Sequence, residues 1–190
     1  MDRYREIQWL KKRLNCLQLS LKNPTILGVC GSYGRVDFNQ KSNIDIMFIN
    51  GNISLIQKEK YIMGFFPDRS IRIHEFNNGN LFSNTISSIV LRILYLTETI
   101  PFFREDLYWD LYSNVLNSLS ETNINMQDLV DYKLSKYKKT EIGKRERIQS
   151  IFPLQVQYVL HLKKNKDIEL QKEINNLPFS KKQEIIWKER

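Results

Sequence analysis

Gly31-Ser32-Tyr33-Gly34-Arg35, followed by Ser42-Asn43-Ile44-Asp45-Ile46, is the stretch whose reading decides the fold. It lies between two short apolar runs. Thr25-Ile26-Leu27-Gly28-Val29-Cys30 reads as a buried strand, and Gly31-Ser32 ends it. Ile44, Ile46 and Phe48 alternate with Asn43, Asp45 and Met47, the period of a second strand. Residues 33–42 form a polar loop between the two.

Small residues after a strand suit a turn that binds phosphate, because backbone N–H groups can then approach anionic oxygens with no Cβ in the way. Gly31 and Ser32 provide this, and the Ser32 hydroxyl adds a donor. Arg35 is placed to pair with a phosphate or to fix the loop. Side chains two apart on a strand project from one face, so oxygen-bearing groups at positions 43 and 45 can share a hard cation such as Mg²⁺.

Working outward, Ile7, Leu10, Leu14, Leu17 and Leu21 give residues 3–21 a helical period, broken at Asn23-Pro24. After the second strand come a turn at Asn50-Gly51-Asn52, a short helix over 53–63 and a turn at Pro67-Asp68. Ser70–Phe76 is a third strand, closed by Asn77-Asn78-Gly79-Asn80. Beyond residue 80 the patterns are helical: Asn84–Ile100, Arg104–Leu119, Gln127–Lys139, Lys144–Lys163 (which Pro153 should kink or start) and Lys181–Lys188. The expected fold is α/β (α+β). A small mixed sheet with flanking helices occupies residues 1–80, and a helical bundle occupies 81–190.

The spacing Gly-Ser, ten residues, then acidic-x-acidic resembles that of the DNA polymerase β-like nucleotidyltransferase superfamily. The nearest likeness is to its minimal, toxin–antitoxin-associated members, which carry a Gly-Ser-Tyr-Ala-Arg-like turn and then Ser-Asp-Ile-Asp-Leu. The match covers residues 25–50 well and 1–80 loosely. The resemblance implies an enzyme that moves an NMP, with AMP expected, from an NTP to a hydroxyl of a partner protein, a tRNA or a small molecule. The implied cofactor is Mg²⁺ or Mn²⁺ and the implied NTP is ATP. Gly31, Ser32 and Arg35 would hold the nucleotide. Asp45, Asn43 and Glu75 would be the catalytic and metal-binding set.

Two departures accompany the likeness. Asn43 stands where the family carries its first metal-binding Asp; it is nearly isosteric but neutral. This leaves three readings: a form inactivated by Asp-to-Asn replacement, a natural chain that binds without transferring, or a weaker metal site. The third carboxylate is assigned to Glu75, yet strict alternation groups Glu75 with Ile71 and Ile73. Either the strand is bulged or His74 faces the site instead. Arg72 is placed to meet the triphosphate or a surface carboxylate, and Asp37 reads as a loop carboxylate. Arg69 and His74 share the Arg-x4-His spacing of an RNase family, which belongs at a helix end and is read here as chance. His161 reads as a surface residue of a basic helix.

Charge separates the halves. Residues 1–130 hold 14 Lys+Arg against 13 Asp+Glu, a net of +1, and residues 131–190 hold 15 against 8, a net of +7. This footprint suits RNA or an acidic protein, so the basic helices are the expected grip on a macromolecular acceptor. It disfavours a cationic antibiotic as substrate. Cys16 and Cys30 are too few for a disulfide framework, no Cys/His cluster has metal spacing, and no long apolar run suggests a membrane span. A cytoplasmic protein is expected. The alternative function is a nucleotidyltransferase fold that has lost transfer and serves as a binding or regulatory module.

Overall fold

The computed structural model describes residues 2–20, 26–49, 62, 64, 66, 69–119, 125–165 and 167–188. The expected turn at 50–52, most of the helix over 53–63 and the turn at Pro67-Asp68 lie outside the described residues.

The architecture is α/β. Helix α1 (Arg3–Ser20) leads into β1 (Ile26–Cys30), one turn of helix α2 (Gly31–Gly34) and β2 (Ile44–Ile49). Then come β3 (Ile71–Phe76), α3 (Asn78–Leu81), α4 (Ile86–Glu98) and the two-residue strand β4 (Ile100–Pro101). Five helices complete the described chain: α5 (Glu105–Ser118), α6 (Met126–Ser135), α7 (Ile142–Asn165), α8 (Ile168–Ile174) and α9 (Phe179–Lys188). The sheet order is β3-β2-β1-β4. β2 runs parallel to β3, and β1 is antiparallel to both β2 and β4. It is therefore the mixed sheet with flanking and C-terminal helices that the sequence leads one to expect.

Alternation along the strands gives each sheet face its own core. Leu27, Val29, Ile44, Ile46 and Phe48 pack with Leu10, Leu14 and Leu17 of α1. Ile26, Cys30, Met47, Ile49 and Phe76 pack with the helices that follow the sheet, including Tyr95, Tyr112 and Val159. One apolar cluster thus crosses the expected boundary at residue 80, and α4 to α9 are the second layer of the sheet.

Tyr95, Tyr108 and Tyr112 lie at the centre of that layer with their hydroxyls engaged. Tyr112 donates to the Leu96 carbonyl at 3.0 Å, and Tyr108 shares a 2.6 Å hydrogen bond with the Thr99 hydroxyl. Burial of aromatic area is favourable only when the phenol finds such a partner.

Several elements differ from expectation. β4 is a strand where none is apparent in the sequence. It is too short for a period, and its Pro101 is tolerated because β4 is an edge strand. Asn77-Asn78-Gly79-Asn80 begins α3 through a capping box in which Asn77 and Asn80 bond each other's backbone N–H at 2.9 Å. α7 continues through Pro153, on a buried stripe of Ile148, Phe152, Val156 and Val159. No helix among the described residues is long and apolar enough to cross a membrane.

Candidate functional site

The turn after β1 is built by close approach. Gly31 has φ +61°, in the left-handed region, and a Cβ there would lie 2.6 Å from Asp45 Oδ2. Gly34 stands where the resembling family has Ala. Here the carbonyl of Glu98, at the end of α4, occupies the space a Cβ would need. Tyr33 points away from the pocket, stacks on Phe38 at 4.0 Å, and bonds Arg69 through its hydroxyl at 2.5 Å. Burial, ahead of its charged neighbours, pushes the Tyr33 phenol up to about 12.

Arg35 takes the second of its two expected roles. It is 8% exposed and pairs with Glu98 Oε1 at 2.5 Å and Asp37 Oδ2 at 3.0 Å. It therefore fixes the loop, and its charge is directed at carboxylates. Burial alone would raise the pKa of Glu98. The Arg35 guanidinium, then the Lys133 charge and a hydrogen bond from Gln155, overcome burial and hold it at about 2. Asp37 also pairs with Arg147 of α7 at 2.6 Å, so the loop is clasped to the C-terminal helices. The Phe179 N–H at the start of α9 adds a bond to the Arg35 carbonyl at 3.0 Å.

Register decides which β3 residues meet Asp45. Arg72 is opposite Asp45 and His74 opposite Met47, whereas Glu75 is opposite Phe48. Neighbouring strand partners share a face, so Arg72 and His74 join Asp45, and Glu75 belongs to the α1 face. The assignment of Glu75 as third carboxylate is corrected on this ground: β3 pairs with β2 residue for residue from Ile71 to Phe76, with no bulge to turn Glu75 round. His74 Nε2 lies 3.0 Å from Asp45 Oδ1. Arg69 bonds Glu6 at 2.9 Å on the α1 side, so Arg69 and His74 form no joint site. His161 bonds Asn165 on α7.

Asn43 is engaged by neighbours that fix its amide orientation. Its Nδ2 donates to Ser70 Oγ at 2.9 Å, and its Oδ1 accepts from both Nε and Nη2 of Arg72 at 3.0 Å. A pair of divalent ions needs several anionic oxygens converging on one point. On this sheet face the strands offer one carboxylate, Asp45, already bonded to His74. The oxygen of Asn43 is bonded to a guanidinium. Glu98 is bonded to Arg35 and Gln155. As they stand, these residues do not fit two divalent ions, and among the described residues no three of His, Cys, Asp and Glu gather into a metal cluster.

Gly31, Ser32, Asn43, Asp45, Arg72 and His74 all open onto one cavity of about 440 Å³ between the sheet and α4, α6 and α7. Among the described residues, its lining carries six cations (Arg35, Lys41, Arg72, Lys133, Lys144, Arg147) and two anions (Asp45, Glu98), a net of +4. Three of the C-terminal excess charges therefore face this cavity. Lys133 lies 4.2 Å over the Phe152 ring, and burial lowers its amine to about 8. The lining also includes the apolar side chains of Leu91, Leu94, Ile148 and Phe152. The Cys30 thiol at the base is pushed well up by burial and then by Asp45, so it is not a nucleophile.

Sequence reasoning missed Glu98, Lys133, Lys144 and Arg147. A carboxylate ending the apolar run Ile89–Leu96 was the one available sign for Glu98. The three basic residues have no motif and meet the site only through the packing of α6 and α7.

No family model, curated protein or solved structure matches the chain.

Proposed function

We propose that this cavity binds a nucleoside triphosphate, and that the site is laid out for transfer of an NMP, AMP foremost, onto a hydroxyl of a protein or tRNA. The observation that carries the reading is that Gly31-Ser32 and Asp45 share one cavity whose described lining residues are net positive. A triphosphate carries three to four negative charges, and a half-enclosed cationic cleft concentrates such a ligand. The apolar side chains of Leu91, Leu94, Ile148 and Phe152 in the lining suit a base. The basic helices would hold the acceptor.

A second reading, a binding or regulatory module without transfer, is favoured by one observation: Asn43 bonds Arg72 instead of offering a carboxylate. The test uses α-labelled ATP with Mg²⁺ or Mn²⁺ and total RNA, or the product of a neighbouring gene, added to this chain and to Asn43→Asp. Label on an acceptor with Asn43→Asp supports the transferase layout. Binding of ATP with no label from either form supports the module. No binding by either form removes both readings.

A further inference from the structure

Among the described residues, three of the other five cations that line the cavity are paired with carboxylates and a fourth, Lys133, lies over the Phe152 ring, whereas Arg72 is held by an amide. Arg35 pairs with Glu98 and Asp37, Arg147 pairs with Asp37, and Lys144 pairs with Glu141 at 2.5 Å. Arg72 instead donates from Nε and Nη2 to the neutral amide oxygen of Asn43 at 3.0 Å each. Ser70 bonds the other end of that amide, so the guanidinium is held in one plane with its unit charge uncompensated by this partner. It lies on the same sheet face as Asp45 and lines the same cavity as Gly31-Ser32. With Asp at position 43, the same two donors would converge on a carboxylate oxygen, and the charge would be neutralised.

We propose that Arg72, oriented by Asn43, supplies the positive charge that a divalent ion would otherwise bring to a bound triphosphate, so that this cavity takes a nucleoside triphosphate without metal. The inference rests on the nucleotide reading above and goes beyond it by naming the residue and the ionic requirement. Asn43 then has a use of its own: a neutral residue there keeps Arg72 available to phosphate oxygens, which a planar guanidinium binds two at a time.

The experiment is a titration of ATP by calorimetry in buffer with EDTA and, separately, with excess Mg²⁺, for this chain, Arg72→Ala, Arg72→Lys and Asn43→Asp. Arg72 is exposed on an edge strand, and circular dichroism verifies that each variant is folded. The expected result is a dissociation constant in EDTA within about threefold of that in Mg²⁺ for this chain. Arg72→Ala should weaken the EDTA value at least tenfold, about 1.4 kcal/mol. Arg72→Lys should recover part of this loss, and Asn43→Asp should weaken EDTA binding as Arg72→Ala does. Binding that appears only with Mg²⁺, or EDTA binding that Arg72→Ala leaves unchanged, overturns the inference and leaves the nucleotide reading in place. No binding in either buffer overturns both.

Discussion

Replacing Arg35 by Met separates its structural role from a role in holding phosphate. The guanidinium and Glu98 are 8% and 9% exposed and 2.5 Å apart. A carboxyl moved from 4.5 to about 2 has its anion favoured by about 3 kcal/mol at neutral pH. The raised pKa of Arg35 reports the same pair and is not added to it. Breaking a buried pair by removing one partner typically costs about 3–5 kcal/mol, consistent with that figure. Arg35→Met should therefore lose about 3 kcal/mol at pH 7, or about 6–12 °C in the thermal midpoint for a chain of this size. The pH dependence has a definite sign. The folded-state pKa of Glu98 is depressed, so its contribution is full above 4.5 and is lost as pH falls toward 2. In Arg35→Met that acid-side slope should shrink. The double variant Arg35→Met/Glu98→Gln should regain part of the loss, because the buried carboxylate is no longer left without its guanidinium, while Lys133 loses Glu98 as its counter-charge. Urea unfolding at pH 7 and across the acid range measures all three. An Arg35→Met loss below about 1 kcal/mol with an unchanged acid slope would refute the pairing and return Arg35 to the list of phosphate ligands.

Three further outcomes follow from single contacts. Gly34→Ala places a Cβ against the Glu98 carbonyl and should destabilise the fold by about 1–3 kcal/mol in a urea melt; a neutral result would mean that α2 and the end of α4 are not in contact. Gly31→Ala meets both a left-handed φ and Asp45, so ATP affinity, read by calorimetry on folded protein, should fall at least tenfold; unchanged affinity would remove the turn from the site. Lys182 is 1% exposed, and burial lowers its amine to about 7 from 10.5. Between those values the unfolded chain binds the extra proton, so stability should rise with pH across this window. Lys182→Met should abolish the rise and gain on the order of 1–3 kcal/mol at pH 7, and a melt that keeps the rise would assign it to another group.

The parts of the fold that were legible are those where one local rule dominates. The apolar runs of β1 and β2 and the helical periods of α1, α4 and α5 each specify their element unaided. Glu75 is instructive, because alternation alone placed it with Ile71 and Ile73. The resemblance argued for a carboxylate facing the site, and the β2–β3 register upholds the alternation. β4 was illegible because two residues carry no period. α8 begins at a cap that could have been read: Asp167 Oδ1 accepts from the Leu170 N–H at 2.9 Å, a short polar signal before Ile168 and Leu170. The cavity was half legible. Gly31, Ser32, Asn43 and Asp45 lie within fifteen residues, while Glu98, Lys133 and Arg147 reach it only through tertiary packing.

The most direct test is a crystal structure of the protein grown with ATP. The account predicts a triphosphate in the cavity, within hydrogen-bonding distance of the Gly31-Ser32 turn, with the Arg72 guanidinium on its oxygens and Asn43 still bonded to Arg72. A nucleotide bound away from this cavity, or a cavity without nucleotide at saturating ATP, would contradict it.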